Sequence, residues 1–270
     1  MVDMVFLGTG GGRFVSYTQL RWTGGIRFLT DKLQLHLDPG SGAIVRSVNA
    51  KLRPQKIKFL FISHSHPDHC CDAEIFIEAM TRGMTRRNGI LVAPKSVLSG
   101  NDVCEATISK YHQKMIKKLI EVKPGDTYNL QGFSFVVTKT IHTDPDTVGY
   151  CFNFPEGRIG YTSDTSYFEE ISKQYLGTRL MILCVMRPRG FPWRGHLSVD
   201  DAVNILKNVQ PEMAIITHLG AKMIFSHPFE QAKHIEEETG IRTIAATDGM
   251  QVSMKREIEV IKHRTPQKNN

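Results

Sequence analysis

Long hydrophobic runs are absent from this sequence of 270 residues. A membrane-spanning helix needs roughly 20 consecutive apolar residues, and no segment of the chain approaches that length. The opening residues, MVDMVFLGTG, also lack the basic start and the long apolar centre of a signal peptide. We therefore expect a cytoplasmic protein that makes no membrane contact.

Cysteine is scarce as well. The five cysteines are an odd number without a recurring spacing, so the sequence does not indicate a disulfide framework. Cys70 and Cys71 are adjacent and follow His69, where a thiolate could reach a metal ion. Packing at the start of a helix is the interpretation that we favour for both cysteines.

Phosphate-loop motifs, repeats and linkers are also missing. The turn GTGGGR (8–13) lacks the Lys-Ser/Thr ending of a P-loop and no helical pattern follows it, so we do not expect it to hold a nucleotide. Without a repeat or a linker, the simplest expectation is one domain over residues 1–262. The polar residues HRTPQKNN (263–270) are expected to form a tail.

Positive charge is in excess. The formal net charge is +7, and much of it lies in MTRGMTRR (80–87), in KYHQKMIKK (110–118) and in the tail. Such charge can attract an anionic substrate. Solvated helix faces explain it equally well.

Hydrophobic periodicity predicts strands that alternate with helices, which is typical of an α/β protein. Helices are expected over 71–84, 102–118, 197–209 and 229–239, and the segment RTIAATDG is expected to be the last strand. Ser198 and Asp201 have the spacing of a capping box, and Gly240 is a typical helix stop.

Coordinating side chains follow five of the predicted strands. They are Asp38 after LQLHL, the segment HSHPDH (64–69) after KFLFIS, His142 after VVTKTI, Asp164 after RIGYTS and His218 after MAIIT. Ligand sites of α/β proteins form outside the carboxyl ends of strands. We therefore expect these side chains to share one site.

The segment HSHPDH has the spacing of a metal site. In an extended segment His64 and His66 project to the same side, so that one metal ion can take both imidazoles. Asp68 and His69 lie beyond the turn at Pro67 and suit a second metal ion nearby. Imidazole and carboxylate ligands with room left for water are typical of catalytic zinc.

Taken together, these motifs resemble the metallo-β-lactamase fold hydrolases, and most closely their ribonuclease Z-like and cyclic phosphodiesterase branch. The resemblance covers nearly the whole chain and rests on LDPG at Asp38, HSHPDH, His142, SDTS at Asp164 and THLG at His218, in the family's order. It implies an αββα four-layer sandwich with two mixed β-sheets flanked by helices.

The resemblance also implies two divalent metal ions, with zinc expected and manganese or iron tolerated. One ion would be bound by His64, His66, His142 and Asp164, and the other by Asp68, His69, Asp164 and His218, with Asp164 as the bridge. Asp38 would orient the ligand loop by hydrogen bonding. The alternative for Asp38 is an ordinary turn carboxylate.

His196 in RGHLS resembles a histidine that helps the leaving group in the ribonuclease Z branch, where a proton donor is needed. Capping of the following helix is the alternative. Two departures from that branch argue against tRNA as the substrate. The segment CVMRPRG lacks an acid to orient His196, and 21 residues between the two motif positions at His142 and Asp164 leave no room for a tRNA-gripping arm.

The expected function is that of a dinuclear metal-dependent hydrolase that cleaves phosphodiesters or related phosphate esters with a metal-bridging hydroxide. Asp68 and His196 are the candidate catalytic residues, and the candidate substrate-binding residues are Arg187, Arg189 and Arg194. The substrate would be a small molecule or a short nucleotide phosphate. A homodimer remains open, as do a lactonase or thioesterase activity and, remotely, a non-catalytic metal-binding scaffold.

Other polar residues are weaker candidates. His36 alternates with leucines in a strand and is expected to be packed or hydrogen-bonded, and His112 is expected to be solvated. Asp144, Asp146 and His227 could line the mouth of the site, although ordinary loop roles explain them about as well.

Overall fold

The computed structural model describes residues 1–262, so the predicted tail over 263–270 lies outside the described residues. Its strands are β1 (Val2–Phe6), β2 (Ile26–Leu29), β3 (Gln34–Leu37), β4 (Phe59–Phe61), β5 (Asn88–Pro94), β6 (Ile116–Val122), β7 (Thr127–Leu130), β8 (Phe133–Lys139), β9 (Val148–Phe154), β10 (Gly157–Tyr161), β11 (Leu180–Arg187), β12 (Leu197–Ser198), β13 (Met213–Thr217), β14 (Thr243–Ala245), β15 (Gln251–Met254) and β16 (Ile258–Lys262).

The α-helices of this part of the chain are short. They are α1 (Arg13–Thr18), α2 (Ala43–Asn49), α3 (Pro67–Cys70), α4 (Ala73–Met80), α5 (Lys95–Leu98), α6 (Lys110–Gln113), α7 (Val199–Val209), α8 (Ala221–Phe225) and α9 (Pro228–Thr239). Two 3₁₀ turns, Pro54–Lys56 and Ile171–Tyr175, complete the elements.

The strands form two mixed sheets. The first has the order β16-β15-β1-β2-β3-β4-β5-β6, and the second has the order β14-β13-β11-β10-β9-β8-β7, with β12 beside β11. Strands β3 to β6 run parallel in the first sheet, as do β10, β11, β13 and β14 in the second. The remaining main-path pairs are antiparallel.

The two sheets pack face to face around an aromatic core. Phe61 of β4 meets Phe135 of β8 edge to face, with ring centroids 4.9 Å apart, and meets Tyr150 of β9 at 5.3 Å. Burial of one such side chain stabilises the fold by about 1.5–3 kcal/mol. This contact fixes the strand that leads directly into the predicted metal-binding segment.

Helices cover the two outer faces. Phe76 and Ile77 of α4 pack on Leu60 of β4 in the first helical layer. The second layer is formed by α7, α8, α9 and the 3₁₀ turn over 171–175, whose apolar residues pack on β11 and β13. The expected αββα sandwich is therefore confirmed.

Local chemistry explains several boundaries. At the start of α7, Ser198 and Asp201 form the predicted capping box, in which each side chain bonds the other's backbone N–H. Helix α9 ends at Gly240, which adopts the left-handed conformation with φ of 70°. Both predictions from the sequence are confirmed.

Three predictions about secondary structure are wrong. Residues 102–118 contain only the four-residue α6, because the segment from Ile116 pairs with β5 as strand β6 and buries alternate side chains there. The chain also continues beyond β14 into β15 and β16, which extend the first sheet from β1. Finally, the glycine turn over 8–13 is followed by a helix, α1.

Among the helices within residues 1–262, none is long and apolar enough to cross a bilayer.

Candidate metal centre

The loops that follow β3, β4, β8, β10 and β13 meet at one end of the two sheets. They bring together the side chains predicted from the sequence, which are Asp38, His64, His66, Asp68, His69, His142, Asp164 and His218. Most of these side chains are buried, and that of Asp164 is only 2% exposed. Polar groups that are buried in this number require hydrogen-bonding partners, opposite charges or a metal ion.

A first group consists of His64, His66, His142 and Asp164, whose ligand atoms all lie within 4.8 Å of one another. His66 Nδ1 lies 3.0 Å from His64 Nε2 and 3.1 Å from His142 Nε2. Asp164 Oδ2 lies 3.8 Å from His142 Nε2 and 3.9 Å from His64 Nε2. Three imidazole nitrogens and one carboxylate oxygen thus face a common centre.

Hydrogen bonds fix the imidazole of His142 in one tautomer. Its Nδ1–H donates to the carbonyl oxygen of Gly195 at 2.8 Å, which leaves the lone pair of Nε2 directed at the common centre. A nitrogen lone pair prepared in this way is suited to bind a metal ion.

A second group consists of Asp68, His69 and His218. His218 Nε2 lies 3.2 Å from Asp68 Oδ2, and His69 Nε2 lies 3.9 Å from the same oxygen. Asp164 also reaches this group, since its Oδ1 lies 3.3 Å from His218 Nε2 and its Oδ2 lies 3.6 Å from His69 Nε2. Asp164 is therefore in contact with both groups.

Asp38 holds the second group from behind. Its carboxylate accepts hydrogen bonds from Ser63 N (2.7 Å), Ser63 Oγ (2.8 Å), the hydroxyl of Tyr161 (2.6 Å) and Nδ1 of His69 (2.9 Å). The bond to His69 leaves its Nε2 facing Asp164 and Asp68. This carboxylate–histidine pair is the arrangement by which proteins orient metal-binding imidazoles.

The sequence offered no signal for two of the Asp38 partners. Only its position before His64 distinguishes Ser63 from the other serines. Tyr161 is one of seven tyrosines and lies at the end of β10, whereas Asp38 follows β3. Their role follows from the packing of the two sheets.

The electrostatics favour a cation at the centre. Burial would raise the pKa of Asp164, but His218 and His69 outweigh it and hold that pKa well below its ordinary value. Burial would lower the pKa of His69, but the carboxylates of Asp164 and Asp38 raise it well above its ordinary value. The carboxylates therefore attract positive charge between the two groups.

The centre also contains polar atoms without partners. His69 Nε2 and Asp164 Oδ1 are buried and have no hydrogen-bond partner within residues 1–262. Unpaired buried polar atoms are costly, and here both face the other ligand atoms of the site. The donor set thus fits divalent metal binding, as imidazole and carboxylate ligands do in catalytic zinc sites.

Strained backbone accompanies the site. Asp38, Ser163 and His218 have positive φ angles of 52°, 55° and 57°, although none is a glycine. Each residue lies just after a strand whose loop enters the centre. Such conformations cost about 1–3 kcal/mol and are found where a functional geometry requires them.

The glycine-rich turn supports the centre rather than a nucleotide phosphate. Gly12 N donates to Asp68 Oδ2 at 2.7 Å, and a Cβ at Gly11 would lie 2.2 Å from the ring of His218. Asp248 holds the other end of this turn, where it accepts from Thr9 N and Thr9 Oγ1 at 2.9 and 2.7 Å. Glycine is therefore required at Gly11 because the turn packs against the imidazole.

His196 lies at the edge of the same centre. Its Nδ1 is 3.5 Å from Asp164 Oδ2, and its side chain is 15% exposed. Burial lowers its pKa to about 4. His196 directly precedes β12. The side chain that caps α7 is that of Ser198 and not that of His196.

Of the three predicted substrate-binding arginines, Arg187 is the last residue of β11, and Arg189 and Arg194 lie on the loop between β11 and His196. Arg187 donates from Nε to the carbonyl oxygen of Phe191 at 3.1 Å and stacks over Trp193. Arg189 and Arg194 are exposed. They share one loop with His196, but no contact brings all three guanidinium groups to a common point.

The weaker candidates have structural partners. His36 is buried, accepts from Arg27 Nε at Nδ1 and bonds the Gly24 carbonyl through Nε2, as predicted. The prediction that His112 is solvated is wrong, because its ring lies between Glu74 and Glu78 at 3.1 and 3.3 Å.

Of the two cysteines after His69, Cys70 packs as expected, whereas Cys71 is exposed, so the packing prediction is wrong for Cys71. Cys70 is buried and donates from Sγ to the Ser65 carbonyl oxygen, and burial raises its pKa to about 12.

Asp144 is buried and accepts from Ser65 N and Ser65 Oγ at 3.0 and 2.7 Å. Asp146 accepts from the Asn101 side chain, and His227 precedes α9 as its N-cap.

The fold and the ligand cluster together match a known family. The family model of the beta-lactamase superfamily domain matches residues 34–219, which include all eight clustered side chains. The chain belongs to the metallo-β-lactamase superfamily.

Curated relatives of this superfamily member include the uncharacterized protein MJ1374 of Methanocaldococcus jannaschii. It is 39% identical over 255 residues, which cover 94% of this chain and 95% of the relative. Ribonuclease Z of Saccharolobus islandicus is 22% identical over 271 residues, with 82% of this chain and 90% of the relative covered.

Solved structures support the same fold. The metallo-β-lactamase fold protein YhfI of Bacillus subtilis has a TM-score of 0.77 at 18% identity, with 93% of this chain and 98% of that chain covered. A diphosphatase from the PhnP family has a TM-score of 0.64 at 15% identity, with 96% and 100% covered. At these identities the likeness concerns the fold alone.

Proposed function

We propose that the chain is a dinuclear metal-dependent hydrolase of phosphodiesters or related phosphate esters. The observation that carries this proposal is the position of Asp164, whose two carboxylate oxygens lie within 3.3–3.9 Å of nitrogen atoms from both ligand groups. A carboxylate between two sets of imidazoles is suited to bridge two ions.

The residues would divide between the ions as the two groups do. His64, His66, His142 and Asp164 would hold one ion, and Asp68, His69, His218 and Asp164 the other. When bound, two such ions, zinc in our proposal, would supply an activated water at neutral pH and would neutralise the charge that develops on the substrate oxygens.

The chain's own residues prepare this chemistry. Asp38 and the Gly195 carbonyl oxygen fix the tautomers of His69 and His142, so that neither ligand has to reorient during turnover. Asp68 is fixed by the Gly12 N–H, and we propose that it takes part in catalysis as the carboxylate beside the second ion.

We assign His196 the task of exchanging a proton with the leaving oxygen. It lies at the partly exposed edge of the centre, 3.5 Å from Asp164 Oδ2, where a leaving group has to depart. A positioned imidazole contributes about 10²–10⁴-fold to such a step.

The phosphate ester class is supported by charge and by relatives. The His196 loop carries Arg189 and Arg194 and follows directly on Arg187 at the end of β11, and guanidinium groups bind phosphate oxygens through paired hydrogen bonds. Relatives and structural neighbours of the chain include a ribonuclease and a diphosphatase.

The reaction class is tested by parallel assays of metal-loaded protein with bis-p-nitrophenyl phosphate, a set of lactones and a thioester. Turnover of the phosphodiester, lost in Asp164→Ala, is the expected result. Lactone or thioester turnover without phosphodiester turnover would replace the proposal with acyl-ester hydrolysis. Activity on none of them, together with bound metal, would favour a non-catalytic scaffold.

The role of His196 is tested by the dependence on the leaving group. His196→Ala should lower kcat by about 10²–10⁴-fold for a phosphodiester with an alkoxide leaving group. The loss should be much smaller for the p-nitrophenyl ester, because p-nitrophenolate leaves without a proton. Equal losses for both substrates would assign His196 a structural role.

A further inference from the structure

Two large aromatic side chains project from the loop that carries His196. Phe191 is 47% exposed and Trp193 is 59% exposed, although aromatic side chains of this size are usually buried. The Trp193 backbone forms an isolated antiparallel bridge with His196, and its carbonyl oxygen accepts from His196 N at 3.2 Å. Trp193 therefore lies at the rim of the candidate metal centre.

A cation lies against each of these rings. Arg187 is 5.0 Å from the Trp193 ring centroid, and Lys222 Nζ is 3.2 Å from the Phe191 ring centroid. Cation–π contacts of this kind contribute about 0.5–2 kcal/mol each. Each of the two rings thus has a positive charge against it and remains about half exposed.

The loop is fixed rather than free. Gly190 N donates to Asp200 Oδ2 at 2.7 Å, and Arg189 N donates to the Gln231 side chain at 3.0 Å. At its other end the Gly195 carbonyl oxygen accepts from His142. A ligand stacked on Trp193 would therefore meet a rim that is already in place, which reduces the entropy cost of binding.

We propose that this rim is a nucleobase-binding site, in which the base of a nucleotide stacks on Trp193 while its phosphate lies at the metal centre. The inference rests on the proposed function and names its substrate class. An apolar acyl chain would need no cations beside the rings. A sugar phosphate without a base would make no contact with the exposed aromatic rings. A nucleotide would place its base on a ring and its negative charge near the cations.

Base stacking on an aromatic side chain contributes about 1–3 kcal/mol per base. That range corresponds to about 5- to 150-fold in affinity. Loss of the indole should therefore be measurable against a ligand that lacks a base.

Binding is tested by tryptophan fluorescence of metal-loaded protein. Trp22 is the other tryptophan of the chain and stacks on Arg46, so Trp22→Phe leaves Trp193 as the sole reporter. Adenosine 5′-monophosphate should quench this fluorescence and should bind at least about 5-fold more tightly than ribose 5-phosphate. Equal affinities, or no quenching by the nucleotide, would overturn the inference.

Turnover provides a second test. Trp193→Ala should raise KM for thymidine 5′-p-nitrophenyl phosphate by about 5- to 150-fold and leave KM for methyl p-nitrophenyl phosphate unchanged. Trp193→Phe should keep most of the affinity. An equal rise in KM for both esters would contradict base stacking.

The matched control is Tyr111→Ala, which removes a side chain that is 65% exposed on α6. This variant should change neither KM. If neither ester is hydrolysed, the proposed function fails, whereas the fluorescence titration still decides whether a base binds at Trp193. The two failures are therefore distinguishable.

Discussion

His142 donates a hydrogen bond from Nδ1 to the carbonyl oxygen of Gly195, over 2.8 Å. One bond thus joins a candidate metal ligand to the loop that carries His196. It sets the tautomer of the imidazole and aligns the loop with the centre. Changes in this loop should therefore alter the affinity of the centre for a metal ion.

Gly195→Ala should weaken metal binding by about 10-fold or more, as the loss of a supporting contact around a metal ligand does elsewhere. Gly195 has φ of 86°, and an added Cβ would lie 3.2 Å from His142 Nδ1, so that the ring would have to shift by a few tenths of an ångström. Metal affinity is measured by competition with a chromophoric chelator.

Gly190→Ala is the control for that experiment. Gly190 lies in the same loop with φ of 71°, but an added Cβ would meet no atom within 4 Å. Both variants should lose about 1 kcal/mol of stability from the left-handed backbone. Equal weakening of metal binding in both variants would show that the His142–Gly195 contact does not determine the metal affinity.

Asp38→Asn should lower metal affinity by about 10–100-fold, because a neutral amide orients His69 less strongly than a carboxylate does. Tyr161→Phe removes one of the four hydrogen bonds to Asp38 but keeps its charge. We expect this variant to lose about 1 kcal/mol of stability and little metal affinity. Chelator competition and thermal unfolding of both proteins are the measurements, and the opposite ranking would argue against the orienting role.

The clustering of the candidate ligands was predictable because it depends on strand ends. His64, His142 and His218 each follow an apolar strand, and the topology of parallel strands brings such positions to one edge. The partners of Asp38 were not predictable in this way. Tyr161 reaches Asp38 from the opposite sheet, and contacts across a sandwich have no fixed spacing along the chain.

Errors in the predicted elements have a related cause. The segment from Ile116 to Val122 carries lysines between apolar residues and fits a helix or a strand, and its pairing with β5 decides the outcome. β15 is only four residues long, and it becomes a strand because β1 offers its edge. Long-range pairing thus overrode local preference at both places.

Acid should destabilise the protein partly through His36. Burial and the positive charge of Arg27 lower the pKa of His36 well below its ordinary value of 6.5. Below about pH 6.5 the unfolded chain takes up a proton that the folded chain cannot accept at this site, so the free energy of unfolding falls as the pH falls.

His36→Gln lacks this proton uptake. The variant should be less stable than the wild type at pH 7.5, and the difference should shrink at lower pH by up to about 1.4 kcal/mol per pH unit. Urea unfolding at pH 7.5, 6.5 and 5.5 measures this difference in the free energy of unfolding. The contributions of the other histidines cancel in the difference because both proteins contain them. A difference that is constant or grows towards acid would mean that His36 is not held neutral.

The metal content of the purified protein tests the central claim most directly. Elemental analysis of wild-type protein prepared without chelator should find about two divalent ions per chain. Asp164→Ala should hold fewer than about one ion, because Asp164 contributes to both ligand groups. Asp201→Ala, which removes a helix-capping carboxylate that belongs to neither group, should keep both ions. A metal-free wild type, or an Asp164→Ala protein that retains two ions, would contradict the account.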